Sequence, residues 1–296
     1  MDTQPLIDRI IENTAFRRNV YRLVPRGAGR ILDFGAGSGG LVLRLKRDRA
    51  CTDLHALEIN PEDVKILTPL LDGVWSADYE KGERLPPEYE GYFNHLILHD
   101  VVEHFADPWV TLSRLRDLLS AKGRMIVATP NILYWMLQHD ILRGRFPYGP
   151  GLWHTGHLRW FTPASLFELL VVAGLEVETL YLEIPEKVSF LRAAQAGELR
   201  QVSFPPVELA ARHPDRPPVS LTYAEDIKGF YPVFFASKLI AVCARGLARF
   251  PLQKVKDNCA VLAEMRDHLG LRQAAFAPCP MIPLMGDTGV FGQSEA

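Results

Sequence analysis

The sequence predicts an α/β fold, a mostly parallel sheet with helices on both faces, and three features predict it. Between residues 30 and 184, short apolar runs alternate with amphipathic stretches, as in strands joined by crossover helices. Four glycines, Gly35, Gly37, Gly39 and Gly40, follow the first apolar run with only Ala36 and Ser38 between them. Three later stretches open with a capping residue and a proline, at Asn60 and Pro61, Asp107 and Pro108, and Thr162 and Pro163.

In chain order, "RILDFG" reads as the first strand and "LVLRLKRDRA", with leucines at 41, 43 and 45, as the first helix. "LHALEIN" is the second strand. The helix after it is capped by Asn60, and Glu62 and Asp63 suit the positive end of its dipole. "GVWSAD" and "HLILHD" are the third and fourth strands. Asp107 and Pro108 then start a helix with Leu112, Leu115, Leu118 and Leu119 on one apolar face, and Gly123 is expected to end it. "RMIVATPN" follows as the fifth strand, "ASLFELLVVAG" as a helix stopped by Gly174, and "LEVETLYLEI" as the sixth strand. "FFASKLIAVCARG" returns to the sheet as the last strand. The reading is one domain over residues 1–247, with a proline-rich insertion or cap at about 186–232 and a tail at 248–296.

Composition narrows the function classes. With 296 residues, 48% of them hydrophobic, and a net charge of −2, the chain is an ordinary globular protein with no general affinity expected for nucleic acid or acidic membranes. Cys51, Cys243, Cys259 and Cys279 form no CxxC pair, so neither a disulfide framework nor a zinc knuckle is expected, and a reducing cytoplasm fits. The amino-terminal stretch lacks the apolar core of a signal peptide, and Lys238 and Arg245 interrupt the apolar stretch near 230–250, so no membrane span is expected.

A glycine loop that opens a helix presents free backbone amides and a positive dipole end to a ligand. Glu58 closes the second strand at the sheet edge where ligands collect, and a carboxylate there accepts hydrogen bonds from ribose hydroxyls. Nicotinamide dinucleotides and S-adenosylmethionine both fit these two features. Asp33, two residues before the first glycine, is a poor neighbour for a pyrophosphate and suits a cofactor bearing an ammonium.

With these residues in place, the chain resembles the class I S-adenosylmethionine-dependent methyltransferases. "ILDFGAGSGG", "ALEINPE", "SADYE" and "LILHDVVEHFADP" look like their first four ordered motifs. The resemblance covers residues 16–184 and the strand near 234–244, and implies a Rossmann-like, seven-stranded sheet whose last strand is antiparallel. It also implies roles: Gly35 and Gly37 beside the methionine moiety, Glu58 on the ribose, Ile59 against the adenine, Asp78 and Tyr79 near its amino group, and His99 and Asp100 by the sulfonium. The alternatives are a nicotinamide-dependent oxidoreductase and a non-catalytic module that binds S-adenosylmethionine.

Beyond the fifth strand, "GRF" and "HLRWFTP" are similar to a methyltransferase subgroup associated with sugar, polysaccharide or natural-product modification, matching at Gly144, Arg145, Phe146, His157, Leu158, Arg159, Phe161 and Thr162. Gly156, Trp160 and His154 depart from that pattern. The expected acceptor is a small molecule or saccharide, methylated at a hydroxyl oxygen. His157 is the first candidate for its base and His154 the second, since imidazole titrates near working pH. Arg145, Tyr148, Arg159 and Trp160 are the candidate acceptor contacts. His104 reads as a packing or hydrogen-bonding residue supported by Glu103. No metal site is expected, because His139, His154 and His157 lack a matching carboxylate pattern.

Overall fold

The structure, a computed structural model, describes residues 3–142, 144–184, 201–203, 220–222, 233, 236–246 and 284–286. Two helices, α1 (Gln4–Asn13) and α2 (Arg18–Leu23), precede β1 (Ile31–Phe34). The chain then alternates through α3 (Gly40–Arg49), β2 (Leu54–Leu57), α4 (Pro61–Leu67), β3 (Gly73–Trp75) and β4 (Phe93–His99). It continues through α5 (Pro108–Arg116), β5 (Leu119–Pro130), α6 (Trp135–Leu142), α7 (Pro163–Val172) and β6 (Leu175–Ile184). The short strands β7 (Gln201–Ser203) and β8 (Ser220–Thr222) pair with each other, while β9 (Lys238–Arg245) and β10 (Leu284–Gly286) join the main sheet.

The three capping residues read from the sequence perform that role. Asn60 Oδ1 accepts from the Glu62 amide at 3.1 Å, and Asp107 Oδ1 from the Val110 amide at 3.2 Å. Thr162 forms a reciprocal box with Ser165, each side chain accepting from the other's amide. These contacts satisfy donors that a helix start leaves without partners.

The main sheet has the order β10-β6-β9-β5-β4-β1-β2-β3. The seven strands expected are present, and β9 runs antiparallel to both β5 and β6. β10, from within the tail, adds an eighth edge strand parallel to β6. The rest of the 186–232 insertion, and the cap expected there, lie outside the described residues. One boundary differs from the sequence reading: α5 stops at Arg116, Leu119 opens β5, and Gly123 lies inside that strand. The register explains it. Phe93 pairs with Leu119 and His95 already pairs with Arg124, so the chain makes an excursion between them. A Cβ at position 123 would come 2.6 Å from the Phe93 carbonyl oxygen, so glycine permits the close approach of the two backbones.

Alternation along the strands divides the core into two layers. Leu32, Phe34, Leu96, Leu98, Met125 and Val127 pack with Leu112 and Leu115 of α5 and Leu166, Leu169 and Leu170 of α7. Ile31, Leu54, Ala56, Ile97 and Ile126 face the other way, onto Ile7 and Ile11 of α1 and Val42, Leu43 and Leu45 of α3. Among the described residues, no helix is long and apolar enough to cross a membrane. Thr162→Ala should cost about 1 kcal/mol by opening the capping box. A melting temperature lowered by a few degrees in a calorimetric scan is the expected result, and an unchanged one would make the box energetically silent.

Candidate functional site

β1 and β4 are neighbours at the point where the strand order reverses, so their outgoing connections diverge and open a crevice at the carboxyl ends of the strands. A cleft of about 340 Å³ lies there, within the range of small-molecule sites. Gly35, Glu58, Ile59, Asp78, Tyr79 and Asp100 line it, while Asp33, Gly37 and His99 stand outside its wall.

Glu58 organises one end. Its Oε2 accepts from the Gly37 amide at 2.7 Å and its Oε1 from the Asn60 amide at 2.9 Å, tying the glycine loop to the start of α4. Each carboxylate oxygen keeps a second acceptor position. Ile59 beside it is 69% exposed, an apolar side chain at the lip of the cleft. Tyr79 is a buried wall whose hydroxyl accepts from the Leu85 amide and whose ring meets Phe34 edge-on. Asp78 accepts from the Glu80 and Lys81 amides and pairs with Lys81 at 3.0 Å, which holds its carboxyl below the usual range.

The glycines have separate reasons. At Gly35 a Cβ would meet Val101 at 2.6 Å, and at Gly39 and Gly40 it would meet Leu67 and Thr14, so these three admit neighbouring parts of the chain. Gly37 is different: its φ is +54° and nothing lies within 4 Å of the position a Cβ would take. Beneath the loop, burial pushes the Asp33 carboxyl up to about 7, and the negative charge of Glu58 adds to the effect.

Asp100 sits at the end of β4 with φ +56° and is bound by Lys238 of β9, whose ammonium reaches Oδ1 at 2.7 Å; His99 Nδ1 is 3.2 Å from Oδ2. Burial disfavours its charge, but His99 and Lys238 outweigh burial and hold the carboxyl well below its ordinary range. Burial, then the charge of Lys238, lowers the pKa of His99, with Asp100 opposing. Lys238 has no motif around it that marks a site, and only strand pairing brings it here.

His104 lines the far end of the cleft, next to the loop at 154–159. Leu158 and Arg159 both donate backbone amides to the Glu103 carbonyl, at 2.8 and 3.0 Å, and the Arg159 guanidinium donates to the Ala106 carbonyl. Those bonds place His104, His154 and His157 together, with ring centroids 4.9–5.6 Å apart. A carbonyl can only accept, so His104 Nδ1 carries the proton toward Gly156 O at 2.9 Å, and His157 Nδ1 does so toward Leu152 O at 3.2 Å. His154 Nδ1 instead accepts from the Gly156 amide. Burial lowers the pKa of both His104 and His157, and neighbouring imidazoles add to the effect.

Glu103 is 1% exposed and turns toward His157, not His104: Oε2 accepts from Thr129 Oγ1, and Oε1, without a hydrogen-bond partner, lies 3.8 Å from His157 Nε2. Burial, then the charge of Asp100, pushes its carboxyl up to about 8. Of the acceptor contacts expected, Trp160 joins Phe146 and Trp153 in an aromatic cluster, and Tyr148 packs on Phe146 at its exposed edge. Arg145 is half-buried, and its amide donates to the Asp140 carbonyl. Arg159 is committed to the loop, with its guanidinium also over Trp109.

A family model described as a methyltransferase domain matches residues 8–180, more than half of the chain. The chain belongs to this family. The matched region is a class I S-adenosylmethionine-dependent methyltransferase domain, which removes the nicotinamide alternative. A ubiquinone biosynthesis O-methyltransferase of Xanthomonas axonopodis pv. citri is 30% identical over 167 residues, which are 53% of this chain and 66% of that protein. One from Azorhizobium caulinodans is 30% identical over 174 residues, covering 56% and 66% respectively. The chain thus matches just under two thirds of the length of these curated relatives. Among solved structures, a SAM-dependent methyltransferase from Archaeoglobus fulgidus is 18% identical, with a TM-score of 0.49 over 82% of this chain and 94% of that one.

The cleft fits S-adenosylmethionine. Glu58 lines it with acceptor capacity to spare, Ile59 puts an apolar side chain at its lip, and beside it nothing in the chain lies within 4 Å of the position a Gly37 Cβ would take.

Gly37→Ala should lower stability only by the left-handed strain, about 1–2 kcal/mol, and weaken S-adenosylmethionine binding in calorimetry, whereas Gly35→Ala should damage the fold through Val101. Equal cofactor affinity in folded Gly37→Ala would remove Gly37 from the binding surface. Asp33 gives a pH prediction. Its folded pKa lies above the unfolded value, so its contribution to stability is full below about 4 and is lost as pH rises through about 7. Asp33→Asn should therefore melt several degrees above the parent at pH 8, with the gap closing toward pH 4. Parallel melting profiles for the two proteins would contradict the raised pKa.

Proposed function

We propose that this chain transfers a methyl group to a hydroxyl oxygen of a ring-bearing small molecule. The observation that carries the reading is His104, which lines the cofactor cleft and continues directly into His154 and His157. Methyl transfer from a sulfonium needs in-line alignment and exclusion of water, and a hydroxyl acceptor also needs somewhere to leave its proton. Glu58 and Asp78 orient the cofactor, Phe146, Trp153 and Trp160 offer ring faces to the acceptor, and the imidazole cluster assists removal of its proton. Curated relatives named as ubiquinone biosynthesis O-methyltransferases support a small hydroxylated acceptor. Their shared length is too short to carry over the quinone itself.

Within the cluster, His157, the first candidate from sequence, has Nδ1 on the Leu152 carbonyl and Nε2 toward Glu103, with its side chain 6% exposed. His104 lines the cleft, and its Nδ1–H bond to Gly156 O leaves Nε2 as an acceptor, so we assign His104 the first contact with the acceptor and His157 the support of the loop.

A screen of phenols, catechols, saccharides and amines, read by S-adenosylhomocysteine release, tests the reading. Turnover of a hydroxyl acceptor is expected, and His104→Ala should lower it by about two to four powers of ten while leaving cofactor affinity intact. Turnover of amines alone would overturn it.

A further inference from the structure

We propose that His104, His154 and His157 hold a divalent transition-metal ion of zinc-like preference at the acceptor end of the cleft. The three residues offer ligand atoms that all lie within 4.8 Å of one another. Around an ion bound at about 2.1 Å, tetrahedral ligand atoms stand about 3.4 Å apart, so separations of up to 4.8 Å must shorten by as much as about 1.4 Å to close on it. His154 is exposed at the loop surface and is free to make that movement, giving up the Gly156 amide.

Two further features point to a ligand. The first is orientation. His104 and His157 each donate Nδ1–H to a backbone carbonyl, Gly156 O and Leu152 O, which leaves the Nε2 lone pairs available; metal-binding histidines are held by this kind of outer contact. The second is charge. Glu103 is 1% exposed, its Oε1 has no hydrogen-bond partner, and it stands 3.8 Å from His157 Nε2. Leaving such an oxygen without a partner is costly in the protein interior. A cation beside it resolves that cost, and the carboxylate offsets part of the ion's charge.

Imidazole donors select zinc, cobalt, nickel, iron or copper over magnesium and calcium, which take oxygen ligands. Three protein ligands leave a position open toward the cleft, as in catalytic zinc sites. The role in catalysis rests on the proposed O-methylation: the acceptor's hydroxyl oxygen takes the open position, its O–H bond breaks with the electron pair left on oxygen, and the proton goes to water. The ion lowers the cost of that step by stabilising the negative charge left on oxygen.

The test uses the full chain after chelator treatment, titrated with Co²⁺ and followed by visible absorption, with Zn²⁺ calorimetry in parallel. One ion per chain and a visible band of a four- or five-coordinate site are expected. His154→Ala, an exposed position that spares the core, and His104→Ala should each weaken Co²⁺ binding at least tenfold, and Glu103→Gln should do so by about 10–100-fold. Cofactor affinity, measured in each variant, should be unchanged and shows that the fold is kept. Absence of stoichiometric binding, or Co²⁺ affinity unchanged in His104→Ala and His154→Ala, overturns the site. The two readings fail separately. Hydroxyl methylation that survives chelation, with no ion bound, rejects the metal and keeps the activity. A bound ion with turnover of amines alone rejects the activity and keeps the site.

Discussion

Glu58 holds the cofactor end of this protein together. Its two carboxylate oxygens accept from the amides of Gly37 and Asn60, so one side chain sets the glycine loop after β1 and the start of α4 after β2. Charge-assisted bonds to backbone amides are among the stronger hydrogen bonds, and these two are part-buried. They act where the strand order reverses and the sheet opens, so the cleft inherits its shape from this contact. A ribose would then meet a carboxylate already fixed by the fold. The strand order supplies the opening, and Glu58 gives it a wall.

The acceptor end depends on a different contact, the carbonyl of Glu103. It receives the amides of Leu158 and Arg159, joining the turn after β4 to a loop some fifty residues later in the chain. Satisfying these backbone groups in a partly buried place is what brings three imidazoles into one cluster. The same turn points the Glu103 side chain inward to Thr129 and His157. A carboxyl in that position is pushed toward its neutral form by burial, and a cation would reverse the balance. The two ends of the cleft therefore differ in kind: one presents a carboxylate fixed by backbone amides, the other a cluster of imidazoles.

Much of the fold was legible in the sequence because it rests on local chemistry. Asn60, Asp107 and Thr162 cap their helices as their neighbours require, and short apolar runs buried on both faces suit β1, β4 and β5 to the interior of the sheet. The cleft-lining residues of the first three motifs, Gly35, Glu58, Ile59, Asp78 and Tyr79, were legible for the same reason, since each sits at or just after the end of a strand. Gly123 misled because a glycine beside a helix end and a glycine under a neighbouring strand look alike in one dimension. The difference lies in the Phe93 carbonyl, which belongs to another strand.

The sequence by itself determined the strand and helix pattern, the helix caps and the loop beside Glu58, because each depends on residues a few positions apart. Tertiary structure alone decided the partners made across the sheet. Lys238 meets Asp100 from 138 positions away, because β9 turns back antiparallel against β5 and sets its first residue beside the end of β4. His104 joins His154 and His157, because the Glu103 carbonyl draws their loop in. Gly39 and Gly40 make room for Leu67 and Thr14, whereas Gly37 faces open space. Periodicity records which face a residue takes, but hydrogen bonds between distant backbones choose its neighbours, and no local pattern encodes them.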